Sequence, residues 1–251
     1  MRQQLSLSLT GGVRGTRTRD HWFYLGMGAL AVLIVLLGFA PSIVNPANRR
    51  GPMSTMVMLH SLVFSAWLLL FLVQTTLVAS SRTAVHRRLG LLGAALAPAM
   101  VVVGYGTAVA AARRGYDLSG DLVPSDPLAQ LVFPLGDLIS FGVLVSAGFL
   151  WRRRAQLHKR LMLLATVGSL MAAPLAHAIG HFQVPQLGGA IIVPALALLY
   201  FSSAIHDRVS TGRFHPASVW GGVLLLAWAN LRAGLVGPSD AWHRFASWLI
   251  G

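Results

Sequence analysis

The sequence predicts an all-α fold: a polytopic transmembrane bundle of seven helices. Three observations predict it. Of the 251 residues, 55% are hydrophobic and 11% charged, with a mean hydropathy of +0.66, whereas a soluble domain is about a quarter charged. Seven apolar runs are each long enough to cross a hydrocarbon core, which takes about 20 helical residues for roughly 30 Å. Finally, the arginines gather in alternate loops, the mark of a chain threaded through a bilayer.

The first run, about 22–42, follows a basic tail, residues 1–20, that carries Arg2, Arg14, Arg17 and Arg19. No small-residue cleavage site follows it, so it reads as an anchor and not as a cleaved signal. The next runs are 54–79, 87–111, 128–150, 159–181, 186–205 and 217–237, which closes a transmembrane domain of 21–237. The last stretch, 238–251, places Trp242, Phe245, Trp248 and Leu249 at helical spacing. That pattern predicts a short amphipathic helix lying in the membrane interface.

Orientation follows from charge. The tail, the loop with Arg82, Arg87 and Arg88, the loop WRRRAQLHKR, and the loop with Arg208 and Arg213 fall on one side. The other side carries Arg49 and Arg50, the aspartate-containing ARRGYDLSGDLVPSD and the uncharged GHFQVPQ. This predicts a cytosolic N-terminus and an outside C-terminus in the cell inner membrane. The net charge of +13 is accounted for by these loops, so nucleic acid is not an expected partner. The absence of cysteine excludes disulfides, thiolate metal sites, iron–sulfur clusters and a Cys nucleophile. Glutamate is absent too, so all seven acidic side chains are aspartates.

Residues 85–94 read VHRRLGLLGA and 157–166 read LHKRLMLLAT, with His86 and His158 72 positions apart. Each phrase opens a helix on the same side, and two spans separate the copies. A parallel duplication of a helix pair, about 54–111 and 128–181, is the arrangement this predicts, with its axis along the membrane normal. Basic residues at such helix mouths anchor topology and meet lipid phosphate. The alternative is that His86 and His158, joined by His206, ligate something on the cytosolic side.

Superposing the copies sets His60 against Val132, Asp137 against Ser65 and His177 against Tyr105. These ionisable groups are therefore additions to a repeated scaffold, and ionisable groups inside spans are functional candidates. At roughly 1.5 Å per residue, His60, Asp137 and His177 lie about 6 to 14 Å below the outer surface. Tyr105, Asn230 and Arg232 fall in the same layer, so the expected site is an outer-leaflet cavity that gathers all six. A lone aspartate in mid-span pairs with Arg232 or a histidine, or keeps its proton. His177 and His181, in HAIGH, are spaced i, i+4 and so hold one metal between two imidazoles, although the glutamate of H-E-x-x-H is missing. Set against this, His181 reads as an interfacial residue, His177 as a partner for a carbonyl freed by Pro174, and His60 as an interhelical hydrogen bond.

Taken together, RDHWFYLGM, HSLVFSAWLLLFLVQTTLV, HRRLG and HKRLMLLAT resemble a widespread group of bacterial multi-pass membrane proteins, over about residues 19–235. The resemblance implies location and threading but brings no activity. A looser likeness is to bis-histidine membrane b-type cytochromes, from which the chain departs because its cytosolic histidines stand at helix mouths. A retinal Schiff base in the usual place of microbial rhodopsins is excluded, since the single lysine, Lys159, lies outside the seventh span.

The first expected function is electron transfer by haem b or a divalent metal. His60 and His177 would be axial ligands, with Tyr105, Asn230 and Arg232 completing the pocket, or His60, Asp137, His177 and His181 would hold a metal. A quinone would be the electron partner. The alternative is a non-enzymatic transporter or an assembly subunit of a membrane complex. The duplicated pair and the in-span prolines Pro98, Pro134 and Pro174 support it. A lipid or isoprenoid enzyme with Asp137 and His177 as acid and base ranks last, because no nucleophile or paired carboxylate accompanies them.

Overall fold

The computed structural model describes residues 2–49, 51–116, 126–181 and 188–251, and side chains from residue 20 onward within those ranges. The expectations for Arg50, Asp117, Asp121 and the FQVPQ stretch lie outside the described residues. Regular structure among the described residues is helical, and seven stretches are long and apolar enough to cross a membrane. They are Asp20–Val44, Thr55–Ala79, Thr83–Arg113, Pro127–Leu150, Ala155–His181, Ala190–Thr211 and Pro216–Val236.

Helix α1 (Arg2–Val44) carries the first span and continues before it as one helix. Helices α2 (Thr55–Ala79) and α3 (Thr83–Arg113) form a tight hairpin. The fourth span is a one-turn α4 (Pro127–Gln130) followed by α5 (Val132–Leu150). The fifth comprises α6 (Ala155–Leu163) and α7 (Ala172–His181). Next come α8 (Gly188–Thr211), α9 (Pro216–Leu231) and the short α10 (Asp240–Ile250). Starts are set locally, since Ser54, Asp126, His215 and Ser239 each accept a hydrogen bond from a backbone N–H in the first turn, and Pro127 and Pro216 need no donor there.

Packing puts the fifth span at the centre. Buried residues make up 67% of its most apolar window, against 17% to 39% in the other six. One apolar cluster joins Tyr24, Met27 and Ala31 of α1 to Leu68 and Phe71 of α2 and to Leu163, Val167 and Met171 of the fifth span. A second joins Trp67, Met100, Phe141 and Ala165 across spans two to five. Large apolar side chains such as Leu62, Leu91, Val102, Ile139, Leu198 and Leu224 point outward. On a soluble monomer so much exposed apolar surface is a liability; on an integral membrane protein it is the lipid-facing coat.

The central span is also the irregular one. After Leu163 it makes a π-helical turn, Leu164–Gly168, then bends at Met171 before α7 resumes with Pro174 inside it. Non-regular backbone at membrane depth is tolerated where protein surrounds it or a cavity adjoins it, and this span meets both conditions. Gly38 of α1 lies directly on the Pro174 carbonyl, where a Cβ would overlap it. The seventh span has a π turn of its own, Arg232–Val236.

Helix α10 docks at the far end, the end of the bundle opposite the basic loops. Trp242 Nε1 donates to the Leu128 carbonyl (2.8 Å) and Arg113 Nε to that of Ile250 (2.6 Å). Ala246 is buried in this contact while Trp248 remains 75% exposed. The helix expected over 238–251 is thus present, with one face packed on the bundle and the other exposed.

Candidate functional site

A cavity of about 420 Å³ opens in the far half of the bundle, walled by spans one to five. Its volume is in the range of small-molecule pockets, roughly 300–1,000 Å³. His60, Asp137 and His177 all line it, so three of the expected site residues share one space.

His60 stands on α2 one turn before Phe64, and i, i+4 spacing stacks the two rings at 4.0 Å and 22°. Its Nδ1 is buried with no hydrogen-bond partner among the described residues. His177, on α7, packs its ring against Phe39 of α1 at 4.9 Å.

Ser169 is the lining residue that sequence reasoning missed. Neighbouring hydroxyls give their protons to the carbonyl four residues back, Ser61 to Val57 (2.9 Å) and Thr107 to Val103 (2.7 Å). Ser169 follows the π turn, where its own N–H bonds the Leu164 carbonyl. Its side chain is 1% exposed, lines the cavity, and its Oγ has no partner among the described residues. Unpaired buried polar atoms are costly and rare in native structures. Pro174 and the adjacent Gly168 and Ser169 hinted at an irregular helix in the sequence, but a π turn has no clear residue signature.

Asp137 takes Arg232 from among the partners the sequence offered. Arg232 Nη1 lies 2.8 Å from its carboxylate and donates to the Phe133 carbonyl at 2.7 Å. The guanidinium is buried, sits 5.5 Å from the Trp228 ring centre, and passes Gly136 so closely that a Cβ there would overlap it. Trp228 Nε1 in turn donates to the Gly136 carbonyl (3.1 Å). The α5 glycine thus makes room for the charge from the seventh span.

Four expected residues stand outside the cavity wall, Arg232 among them, since it reaches the site only through Asp137. Tyr105 is 44% exposed on the outward face of α3 and is not part of the cavity wall. Asn230 is exposed and donates to Leu226 of its own helix (2.8 Å). His181 donates from Nε2 to the Gly38 carbonyl (3.1 Å) and lines a separate groove with Leu36, Leu37 and Pro41. The expected four-residue metal set is therefore not assembled: Asp137 is committed to Arg232, and His181 to the first span. Among the described residues no three histidine, aspartate, glutamate or cysteine side chains come together as a metal site.

At the basic end the chain spends its scarce carboxylates. Asp20 meets Lys159 (2.5 Å) and His206 (2.9 Å), whose ring stacks on Phe23. Asp207 pairs with Arg160 through two guanidinium nitrogens and accepts from Ser218 (2.6 Å), while Arg160 also bonds Gln156. This second network is buried and ties α6, α8 and α9 together. The sequence carried a signal for it: Asp20 and Asp207 are the only two acids on the side where most cations lie. His86 and His158 do meet, with ring centres 6.3 Å apart, and His158 Nδ1 donates to the Gly148 carbonyl (2.9 Å). His206 is engaged with Asp20, so the three histidines do not converge.

Comparison of the chain with protein-family models, with curated proteins and with solved structures finds no match.

Proposed function

We propose that this integral membrane protein binds a small molecule in its far-half cavity, as a binding or translocation protein of the cell inner membrane. The observation that carries the reading is the cavity itself, lined by two buried polar atoms without partners among the described residues, Ser169 Oγ at the break in the central span and His60 Nδ1 on α2. Broken spans beside a mid-membrane cavity are a recurrent way of exposing polar groups to a ligand within lipid. In this reading the N-terminus is cytosolic and the C-terminus outside, which the alternating arginine loops support. The two hairpins, spans two with three and four with five, are copies related by an axis along the normal. The meeting of the equivalent histidines His86 and His158 supports that relation.

Because the chain has no cysteine, single introduced thiols test access and orientation together. Ser61→Cys in the cavity wall is expected to react with a membrane-impermeant maleimide from the outside of intact cells. Arg153→Cys in the exposed basic loop is expected to react only after permeabilisation. The reverse pattern would overturn the orientation, and an inert Ser61→Cys in both preparations would overturn an accessible cavity.

A bis-imidazole haem serving electron transfer is the second reading, favoured by His60 and His177 sharing the cavity. It predicts a Soret band in protein purified from haem-replete cells, shifted by dithionite and lost in His60→Ala and His177→Ala. A colourless preparation would exclude it.

A further inference from the structure

Resting on the cavity reading, we propose that its occupant is an uncharged amphipathic molecule whose planar head carries hydrogen-bond acceptors, of the quinone class. The head would be held by Ser169 and His60, with the tail along the apolar wall.

The charge distribution argues for an uncharged head. The one carboxylate among the described lining residues is Asp137, and Arg232 already compensates it at 2.8 Å. The described lining cations other than histidine are Arg49 and Arg114, which stand just beyond the far ends of α1 and α3 at the mouth, and Arg49 Nε is engaged by the Ser42 carbonyl (3.0 Å). A charged head at depth would meet no free counter-charge, and burying a charge without one is heavily penalised.

The polar contacts point to acceptors. A serine hydroxyl donates one hydrogen bond, and an imidazole Nδ1 donates in one of its tautomers. Of the other hydroxyls on the wall, Ser42, Ser61 and Thr107 give their protons to backbone carbonyls. Ring carbonyls of a quinone would satisfy both orphaned atoms at once. The wall is aromatic where a ring would sit, with Phe64 stacked on His60 and Phe39 packed against His177. Leu68, Leu138 and Met171 supply the apolar remainder, in the usual proportion of a small-molecule site.

The test uses the full chain in detergent and three probes: decyl-substituted dimethoxy-methyl-benzoquinone, decylbenzene with the same tail, and dodecanoate. Binding is read by quenching of tryptophan fluorescence and by thermal stabilisation. The quinone is expected to bind at least tenfold more tightly than decylbenzene, with Ser169→Ala and His60→Phe each weakening it about three- to tenfold, as loss of one hydrogen bond does. Melting profiles of the two variants check their fold, and either one alone suffices. Equal binding of the quinone and decylbenzene, unmoved by either variant, would overturn the acceptor-bearing head and leave a cavity for apolar chains. Tighter binding of dodecanoate than of the quinone would overturn the uncharged head. Failure of all three probes, with an unreactive Ser61→Cys, would overturn the cavity reading itself.

Discussion

Arg232 makes its contacts to Asp137 and to the Phe133 carbonyl from a seat that exists because Gly136 has no side chain. Removing one partner of a buried pair strands the other, at about 3–5 kcal/mol. Asp137→Asn and Arg232→Gln are each expected to lower the detergent melting temperature clearly, and the double variant by less than the sum of the two; additive losses would show that the charges do not depend on one another. His60, Asp137 and His177 were legible in the sequence because they are ionisable groups inside apolar spans. Tyr105 and Asn230 were placed in the site on depth alone, and depth does not fix which way a helix turns a side chain. Ser169 was not legible, since its missing partner is a consequence of the π turn before it.

At the scale of elements, hydropathy located all seven spans to within a few residues at most ends, because length and apolarity are what a bilayer demands. The break at 164–171 escaped because hydropathy does not register it: Gly168 and Ser169, a pair at which helices bend, stand inside an apolar run, and the Gly38–Pro174 contact just beyond it joins segments far apart in the chain. Gly38→Val is expected to wedge α1 from α7 and lower thermal stability; an unchanged melting curve would mean that the two spans adjust freely.

Helix α10 gives a prediction in pH. Asp126 lies 2.9 Å from His243. The Ala129 N–H and His243 hold the Asp126 carboxyl below its usual 3.8, and Asp126 with the Ser239 carbonyl raises His243 above 6.5. The histidine's contribution is full below 6.5 and fades as pH rises through its raised value. That of the aspartate is full above 3.8 and fades as pH falls through its lowered value. Docking of α10 is therefore strongest between these limits. A fluorophore on Ser247→Cys is expected to report loosening as pH rises above 6.5 that Asp126→Asn abolishes; a flat profile in the parent protein would exclude the coupling.

For the whole molecule, the two ends are built differently. The basic end is closed by ion-pair networks through Asp20 and Asp207, whereas the far end opens into the cavity. The two similar basic phrases are placed differently, with Arg87 and Arg88 exposed while Arg160 is buried in a network. Asp207→Asn is expected to destabilise the fold severely, and Arg87→Gln with Arg88→Gln to leave its stability unchanged. Equal effects would mean that both phrases serve only as topological anchors.

The central claim, that the far-half cavity holds a small molecule, is met most directly by native mass spectrometry of the protein released from detergent. The parent chain is expected to retain a small hydrophobic adduct, and Ser65→Leu, which fills the cavity wall, to lose it with an unchanged melting profile. A parent chain without any adduct after addition of the benzoquinone, or an adduct that Ser65→Leu retains in full, would contradict the claim.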